Sequence, residues 1–296
     1  MKKVLVLGGT SFFGKRLVQL LIDEGKEVTI ATRGRTQDSF GETIKRLTID
    51  REDKSSLIQA FKGRQWDVVY DQSCFSPVEM RYSCDALKDK VKRYVFTSTM
   101  AVYEFGIQRK EDEFNPNTYT YIYKNRGDYK GYEGYQEAKR AAEAHLFTQT
   151  DFDSVAVRFP IVVGKDDYTN RLKNHVMKVK NNQDIGIESL QNRYSFILSK
   201  EAAKFLYHMG ESTFIGPINA GAKNDISMDQ LITKIEEILK KEARVTTAIT
   251  SENVSPYALG GSWSIHTGLV NSLGMDFSDC ERMLEELISY YVQQEV

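Results

Sequence analysis

Thiol chemistry is the first thing this sequence argues against: its 296 residues hold three cysteines, Cys74, Cys84 and Cys280, which have no metal-ligand spacing and cannot all pair. Reduced, structural thiols in a reducing cytoplasm are the expectation. Histidine is almost as scarce. His145, His175, His208 and His266 stand apart with no acid or cysteine at ligand spacing, so packing or helix-surface roles are expected and no metal is. Charge of one sign is missing as well: 40 Lys and Arg against 41 Asp and Glu leave a net charge of −1, which removes a general electrostatic reason to bind nucleic acid or an anionic membrane. Long apolar runs are absent. Lys2-Lys3 followed by Val-Leu-Val-Leu starts like a signal peptide but stops at Gly8, and no later segment approaches membrane-spanning length. No internal repeat or low-complexity stretch stands out. What remains, 41% hydrophobic and 27% charged, is the composition of a soluble protein with room for a large core.

What the chain does have begins at its start. Val4-Leu-Val-Leu-Gly8-Gly9-Thr10-Ser11-Phe12-Phe13-Gly14 is an apolar run that ends in glycines and opens into apolar residues at helical spacing, Phe13, Leu17, Val18, Leu20 and Leu21. Asp23-Glu24-Gly25 closes that helix before the next apolar run, Val28 to Ala31. Gly8 permits the tight turn, a small Ser11 lets backbone N–H groups approach a pyrophosphate, and Gly14 lets the helix sit close to the strand. An anion would rest on the helix N-terminus. The middle glycine of the usual dinucleotide fingerprint is Ser11 here.

Further along, Ile44–Ile49, Asp67–Tyr70, Arg93–Thr97 and Val155–Phe159 read as strands, and Asp53–Phe61, Pro77–Leu87 and Tyr135–Thr150 as helices. Alternating β and α with strands apolar nearly throughout predicts a doubly wound parallel sheet, helices on both faces. Between Glu104 and Gly134 a polar stretch rich in tyrosine (Tyr119, Tyr121, Tyr123, Tyr129, Tyr132) breaks the pattern, and a loop of this length is usually an active-site element. Within it Glu111-Asp112-Glu113 reads as a solvated acidic run. Beyond Gly164 the alternation weakens: helices are expected over Arg171–Lys180, Lys200–Met209, Ser227–Lys240 and Asp279–Gln293, with short strands near Tyr194–Leu198, Pro217–Asn219 and Arg244–Ile249. The expected division is a domain over 1–163 and a smaller, partly interleaved region over 164–296, with a segment near 193–222 returning to the first.

In Tyr135-Gln-Glu-Ala-Lys139 a phenol and an ammonium four residues apart share one helix face. A phenol titrates near about 10, and lowering it by roughly 2 to 3 units takes about 3 to 4 kcal/mol of preference for the phenolate. A neighbouring lysine has the right sign to supply part of that. A hydroxyl to orient a substrate oxygen stands in Thr97-Ser98-Thr99, at a strand end where such sheets place ligands.

The glycine turn, Val95-Phe-Thr-Ser-Thr99-Met-Ala-Val-Tyr103, the Tyr135/Lys139 pair and Arg158-Phe-Pro-Ile-Val-Val-Gly164 stand in the order and spacing of a known family. Over nearly its full length the chain resembles an atypical or extended short-chain dehydrogenase/reductase of the NAD-dependent epimerase/dehydratase superfamily. The resemblance implies a Rossmann fold followed by a substrate-binding region. It implies catalytic roles for Thr99, for Tyr135 as acid/base, and for Lys139, which would hold the nicotinamide ribose and tune the phenol. It places the cofactor on Gly8, Thr10, Ser11, Phe12, Phe13 and Gly14, with Asp50 meeting the adenine and Arg33 near the adenosine ribose. Where NAD-specific members carry an acid this chain has Thr32, flanked by Arg33 and Arg35. A guanidinium suits a 2′-phosphate, so NADP(H) is expected ahead of NAD(H). Met100 and Ala101 replace the acidic pair that drives elimination in dehydratases, and Ile161 replaces an asparagine that binds sugar nucleotides in many epimerases.

The function expected is therefore an oxidoreductase, or an epimerase using transient hydride transfer, acting on a hydroxyl or carbonyl carbon of a small polar substrate, with a sugar nucleotide among the candidates. The alternative is a protein that kept the fold and lost the reaction, a nucleotide sensor or RNA binder, because some plant stem-loop RNA-binding relatives share the Gly-Gly-Thr-x-Phe-x-Gly turn. The partner expected is a small molecule, with no membrane and no nucleic acid. Relatives often pair through the helix bearing the Tyr135/Lys139 motif, so a homodimer is the arrangement the resemblance suggests.

Overall fold

The computed structural model describes residues 1–294; residues 295 and 296 of the expected second region lie outside it. The chain falls into two units, one made of residues 1–103, 111–159 and 200–219, the other of 104–110, 160–199 and the chain from 220 onward.

Among the described residues the first unit carries a seven-stranded sheet: β1 (Lys3–Leu7), β2 (Glu27–Thr32), β3 (Lys45–Thr48), β4 (Trp66–Asp71), β5 (Val91–Thr99), Asp153–Phe159 and Gly216–Asn219. Across the sheet the order is Gly216–Asn219, Asp153–Phe159, β5, β4, β1, β2, β3, and every pair is parallel. Val4 to Leu7 are wholly buried, as a parallel strand covered on both faces requires. Helices α1 (Phe12–Asp23), α2 (Lys54–Ala60), α3 (Pro77–Leu87) and α4 (Gly131–Phe147) belong to the same unit. α1 buries Gly14, Leu17, Val18 and Leu21, the stripe that its apolar spacing dictates. α3 is started by the Ser76 side chain, which accepts from Glu79 N–H, with Pro77 in the first turn. β1 lies between β2 and β4, so the order of strands reverses there, and the glycine turn leaves β1 at that switch point.

Several boundaries differ from those read in the sequence. α4 starts at Gly131, four residues before Tyr135. Tyr194–Leu198 is not one strand: Arg193–Tyr194 pairs with Ile226–Ser227 and Trp263, whereas Phe196–Leu198 pairs with Ile161–Val163. The part of 193–222 that joins the large sheet's unit is thus 200–219 alone. Its anchor is a buried arginine on β5: Arg93 donates to the carbonyls of Met209 and Phe214, each at 2.6 Å, and Tyr70 donates to Tyr207 O at 3.2 Å. The acidic run at 111–113 forms a 3-10 turn in which Asp112 and Glu113 are exposed, as expected of solvated charge, while half-buried Glu111 accepts from the backbone N–H of Asn219 through Oε1 at 2.9 Å.

In the second unit Gly106–Arg109, Arg193–Tyr194, Ile226–Ser227 and Trp263–Ile265 form a mixed four-stranded sheet, ordered 226–227, 193–194, 263–265, 106–109. Helices Arg171–Lys180, Met228–Leu239 and Cys280–Gln293 pack on one another, and Leu172, Val176, Leu231, Ile235, Leu284 and Ile288 are among the residues they bury. His175 is buried there, with Nδ1 2.8 Å from Arg171 O, Nε2 2.7 Å from Ser255 Oγ and the ring stacked on Tyr257. Burial pushes its pKa from 6.5 down to about 4. The unfolded chain therefore binds the proton first as pH falls, so the stabilisation is present above the unfolded pKa and lost as pH drops toward the folded one. Going from about pH 7 to about pH 5 is expected to cost about 2 kcal/mol through this residue. The readout is the shift in urea midpoint between the two pH values, expected to shrink in His175→Gln; equal shifts in both proteins would contradict it.

Candidate functional site

The turn after β1 is strained where it must approach its neighbours. Gly8 and Gly9 have φ of +94° and +83°, and Phe12 has +47°. A Cβ on Gly9 would lie 2.8 Å from Val18 Cγ2 and from Val6 Cγ1, and one on Gly14 would lie 3.2 Å from Gly9 Cα. Gly9, which the spaced-glycine template passes over, is thus the residue that lets α1 close on β1. Ser11 occupies extended backbone at φ −140°, which any residue adopts, so the backbone conformation there does not call for a glycine. Gly9→Ala is expected to destabilise by about 3 kcal/mol, overpacking and positive φ together. Gly25→Ala, at φ +69° with open space around it, is the control and is expected to cost about 1 kcal/mol. Equal urea midpoints for the two variants would overturn this account.

The same turn fits an anion. Ser11 caps α1 without a side-chain hydrogen bond, and among the described residues the first helical turn holds no acid, so its N–H groups and dipole meet no competing negative charge. Thr10 is half-buried, Ser11 exposed, and the Phe13 ring packs edge-on to Phe159 at 5.7 Å. Arg33 and Asp50 are exposed on the loops that leave the neighbouring strands β2 and β3. Asp50 Oδ1 accepts from Glu52 N–H at 3.0 Å, and Asp50 N–H donates to Ser56 Oγ at 2.9 Å.

Lys139 is buried on the inner face of α4, and burial lowers its pKa. Its Nζ donates to Cys74 O at 3.1 Å and to Thr97 O at 2.9 Å, and sits 4.1 Å from the centre of the Phe96 ring. Tyr135, half-buried one turn earlier, packs its ring 5.8 Å from that of Phe75. Both side chains therefore reach the loop after β4, the same loop whose Ser73 backs Gly8, where a Cβ would lie 3.3 Å from Ser73 Cβ. Thr99 ends β5, and its Oγ1 accepts from Ala101 N–H at 3.1 Å, capping a 3-10 turn. The glycine turn and the loop that Tyr135 and Lys139 reach leave the C-terminal ends of β1 and β4, and Thr99 stands at the C-terminal end of β5 in the same sheet.

Beneath this edge lie charges that sequence reading passed over. Glu143, one turn beyond Lys139 on the same helix face, is wholly buried against Arg158: Nε lies 3.1 Å from each Glu143 oxygen and Nη2 2.7 Å from Oε2. Ser98 donates to the same carboxylate, and Arg158 Nη1 reaches Tyr103 Oη at 2.8 Å. Burial would lower the Arg158 pKa, but the carboxylate raises it further. Asp71, at the end of β4, is paired with Arg51; burial would raise its pKa, and the guanidinium holds it below the usual carboxylate range. The spacing Tyr135, Lys139, Glu143 was the available signal for the first pair. All three cysteines are buried and free, and burial pushes their thiol pKa values up.

A doubly wound parallel sheet with a phosphate-type turn at its switch point defines a dinucleotide-binding class of protein. Within that class, the NAD dependent epimerase/dehydratase family model matches residues 4–221, and the chain belongs to this family. The chain is also similar, at 33% identity over 115 residues, to the chloroplast stem-loop binding protein of 41 kDa b of Arabidopsis thaliana, the match covering 34% of this chain and 30% of that protein. Among solved structures it is similar to MoeE5 in complex with UDP-glucose and NAD (16% identity, 99% of each chain, TM-score 0.73). It is similar to the UDP-glucose 4-epimerase of Thermotoga maritima with UDP-glucose (14% identity, 99% of each chain, TM-score 0.74). A third likeness is to a dTDP-glucose 4,6-dehydratase of Bacillus anthracis with NAD (15% identity, 100% and 98% of the chains, TM-score 0.72). At these identities the structural likeness is one of fold. Among the described residues no helix is long and apolar enough to cross a membrane.

Proposed function

We propose that the protein is a nicotinamide-dinucleotide enzyme of the reductase or epimerase type, NADP(H) preferred to NAD(H), acting on a hydroxyl- or carbonyl-bearing carbon of a small polar substrate, sugar nucleotides included. The observation that carries this reading is the meeting of Tyr135, Lys139 and the glycine turn on one loop, Ser73 to Phe75. Bound at this edge, the cofactor supplies a hydride donor or acceptor. Gly8, Thr10, Ser11, Phe12, Phe13 and Gly14 hold its pyrophosphate on the α1 N-terminus, Asp50 the adenine and Arg33 a 2′-phosphate. Lys139 has three donors and uses two on carbonyl oxygens, which orient the ammonium without neutralising it. The third serves a ribose hydroxyl, and a lysine cation has the sign of charge that favours the Tyr135 phenolate. Tyr135 takes or returns the proton of the substrate oxygen, and Thr99, whose oxygen is a cap acceptor, keeps its O–H to donate to that same oxygen.

A titration with NADPH and NADH tests the reading. The wild type is expected to bind NADPH about tenfold more tightly, and Arg33→Ala to remove most of that preference with NADH affinity kept. Equal affinities in the wild type would overturn the NADP(H) assignment, and binding of neither would overturn the function.

The Arabidopsis match favours a second reading, a protein of this fold that binds RNA or senses a nucleotide with catalysis weakened or lost. The net charge of −1 and the complete Thr99, Tyr135, Lys139 set favour the enzyme. Salt-dependent binding of an RNA hairpin, without hydride transfer to any carbonyl compound or sugar nucleotide, would favour the second reading.

A further inference from the structure

We propose that Arg126 is a positioning residue of this site, strapping the tyrosine-rich segment onto the loop after β4 and so fixing the carbonyl and ring against which Lys139 and Tyr135 are set; the inference rests on the dinucleotide reading above.

The loop is gripped at three successive residues. Arg126 Nη2 donates to Ser73 O at 3.0 Å, Lys139 Nζ to Cys74 O at 3.1 Å, and Phe75 N–H to Glu79 Oε2 at 2.9 Å. Arg126 also holds that Glu79 carboxylate with two bonds, Nε to Oε1 at 2.6 Å and Nη2 to Oε2 at 3.0 Å. Its guanidinium lies 5.0 Å from the centre of the Phe75 ring, the ring that packs on Tyr135. One side chain thus controls Ser73 through its carbonyl and Phe75 through both its ring and its amide's partner. This takes a planar fork with several donors, which lysine lacks.

The segment carrying Arg126 is built to present it. Residues 126–128 form a 3-10 turn closed between Asn125 and Asp128, the Asp128 N–H donating to Asn125 O at 3.1 Å and the Asn125 N–H to Asp128 Oδ2 at 2.8 Å. Upstream, Tyr121 and Tyr123 hydroxyls each lie 3.1 Å from His145 Nδ1 on α4, and Lys124 donates to Glu137 Oε1 at 2.8 Å. The strap is therefore fastened to the helix that carries Tyr135 and, through Glu79, to α3. Glu79 is 1% exposed, whereas the Arg126 side chain is 45% exposed, so the grip is laid on a buried carboxylate from the solvent side.

The test compares affinities for ADP and for whichever of NADPH or NADH the wild type binds more tightly, in the full chain. In Arg126→Gln the reduced dinucleotide is expected to bind about tenfold more weakly, with ADP affinity kept within about twofold, because only the nicotinamide half depends on the strapped loop. Arg126→Lys, which restores charge but not the fork, is expected to recover part of the loss. The double variant Arg126→Gln/Glu79→Gln avoids stranding a buried carboxylate and is expected to reproduce the selective loss. A wild type that binds dinucleotide and variants that bind it equally well would overturn the role of Arg126 alone. Loss of ADP and dinucleotide in equal measure would also overturn it, as a general folding effect. A wild type that binds no dinucleotide would overturn the functional reading beneath it.

Discussion

Tyr135→Phe is expected to lower kcat by about 10²- to 10⁴-fold on any substrate the wild type turns over, while leaving dinucleotide affinity within about twofold. The substitution removes one oxygen. The ring contact with Phe75 stays, α4 keeps its register, and Lys139 keeps both carbonyl partners, so no contact assigned to cofactor binding is lost. What disappears is the group that exchanges a proton with the substrate oxygen. Steady-state kinetics and a binding titration on the same preparation check both halves. A kcat near the wild-type value would remove Tyr135 from the proton path. A collapse in cofactor affinity with it would assign the phenol to binding rather than chemistry.

Glu143→Ala is expected to cost about 3 to 5 kcal/mol of stability, because it leaves a buried guanidinium without its counter-charge. Arg158 and Glu143 are both wholly buried, so solvent cannot compensate. Three elements would loosen together: α4 through Glu143, β5 through Ser98, and the Asp153–Phe159 strand through Arg158. Glu143→Gln keeps a hydrogen-bonding group of similar shape and is expected to lose less. Urea midpoints for the wild type and both variants measure the effect. An alanine variant within about 1 kcal/mol of wild type would mean that the pair carries little of the desolvation cost assigned to it.

The glycine turn, the apolar strands and the Tyr135/Lys139 spacing were legible because each is a local pattern, complete within a dozen residues or so. Gly9 was not, since its importance comes from Val6 and Val18 on either side of it rather than from glycine spacing. Ser11 read as a departure only because a template puts glycine there; its own backbone is ordinary. The ion pairs were hidden by distance: Glu143 and Arg158 are 15 residues apart on different elements, and Arg126 and Glu79 are 47 apart. Nothing in the local sequence tells a buried acid from a solvated one, which is why Glu79 and Glu143, both buried, did not stand out from the exposed acids around them. The second unit was least legible because its strands are two to four residues long and pair across the chain, as Arg193–Tyr194 does with Trp263.

The central claim is that a bound dinucleotide places its nicotinamide ribose between Tyr135 and Lys139. A crystal structure with NADPH or NADH tests it most directly. The account predicts a ribose hydroxyl within hydrogen-bond reach of Lys139 Nζ, Tyr135 Oη directed at the nicotinamide, and the pyrophosphate on the α1 N-terminus. A dinucleotide bound with its nicotinamide away from α4, and Lys139 still bonded to Cys74 O and Thr97 O alone, would contradict it.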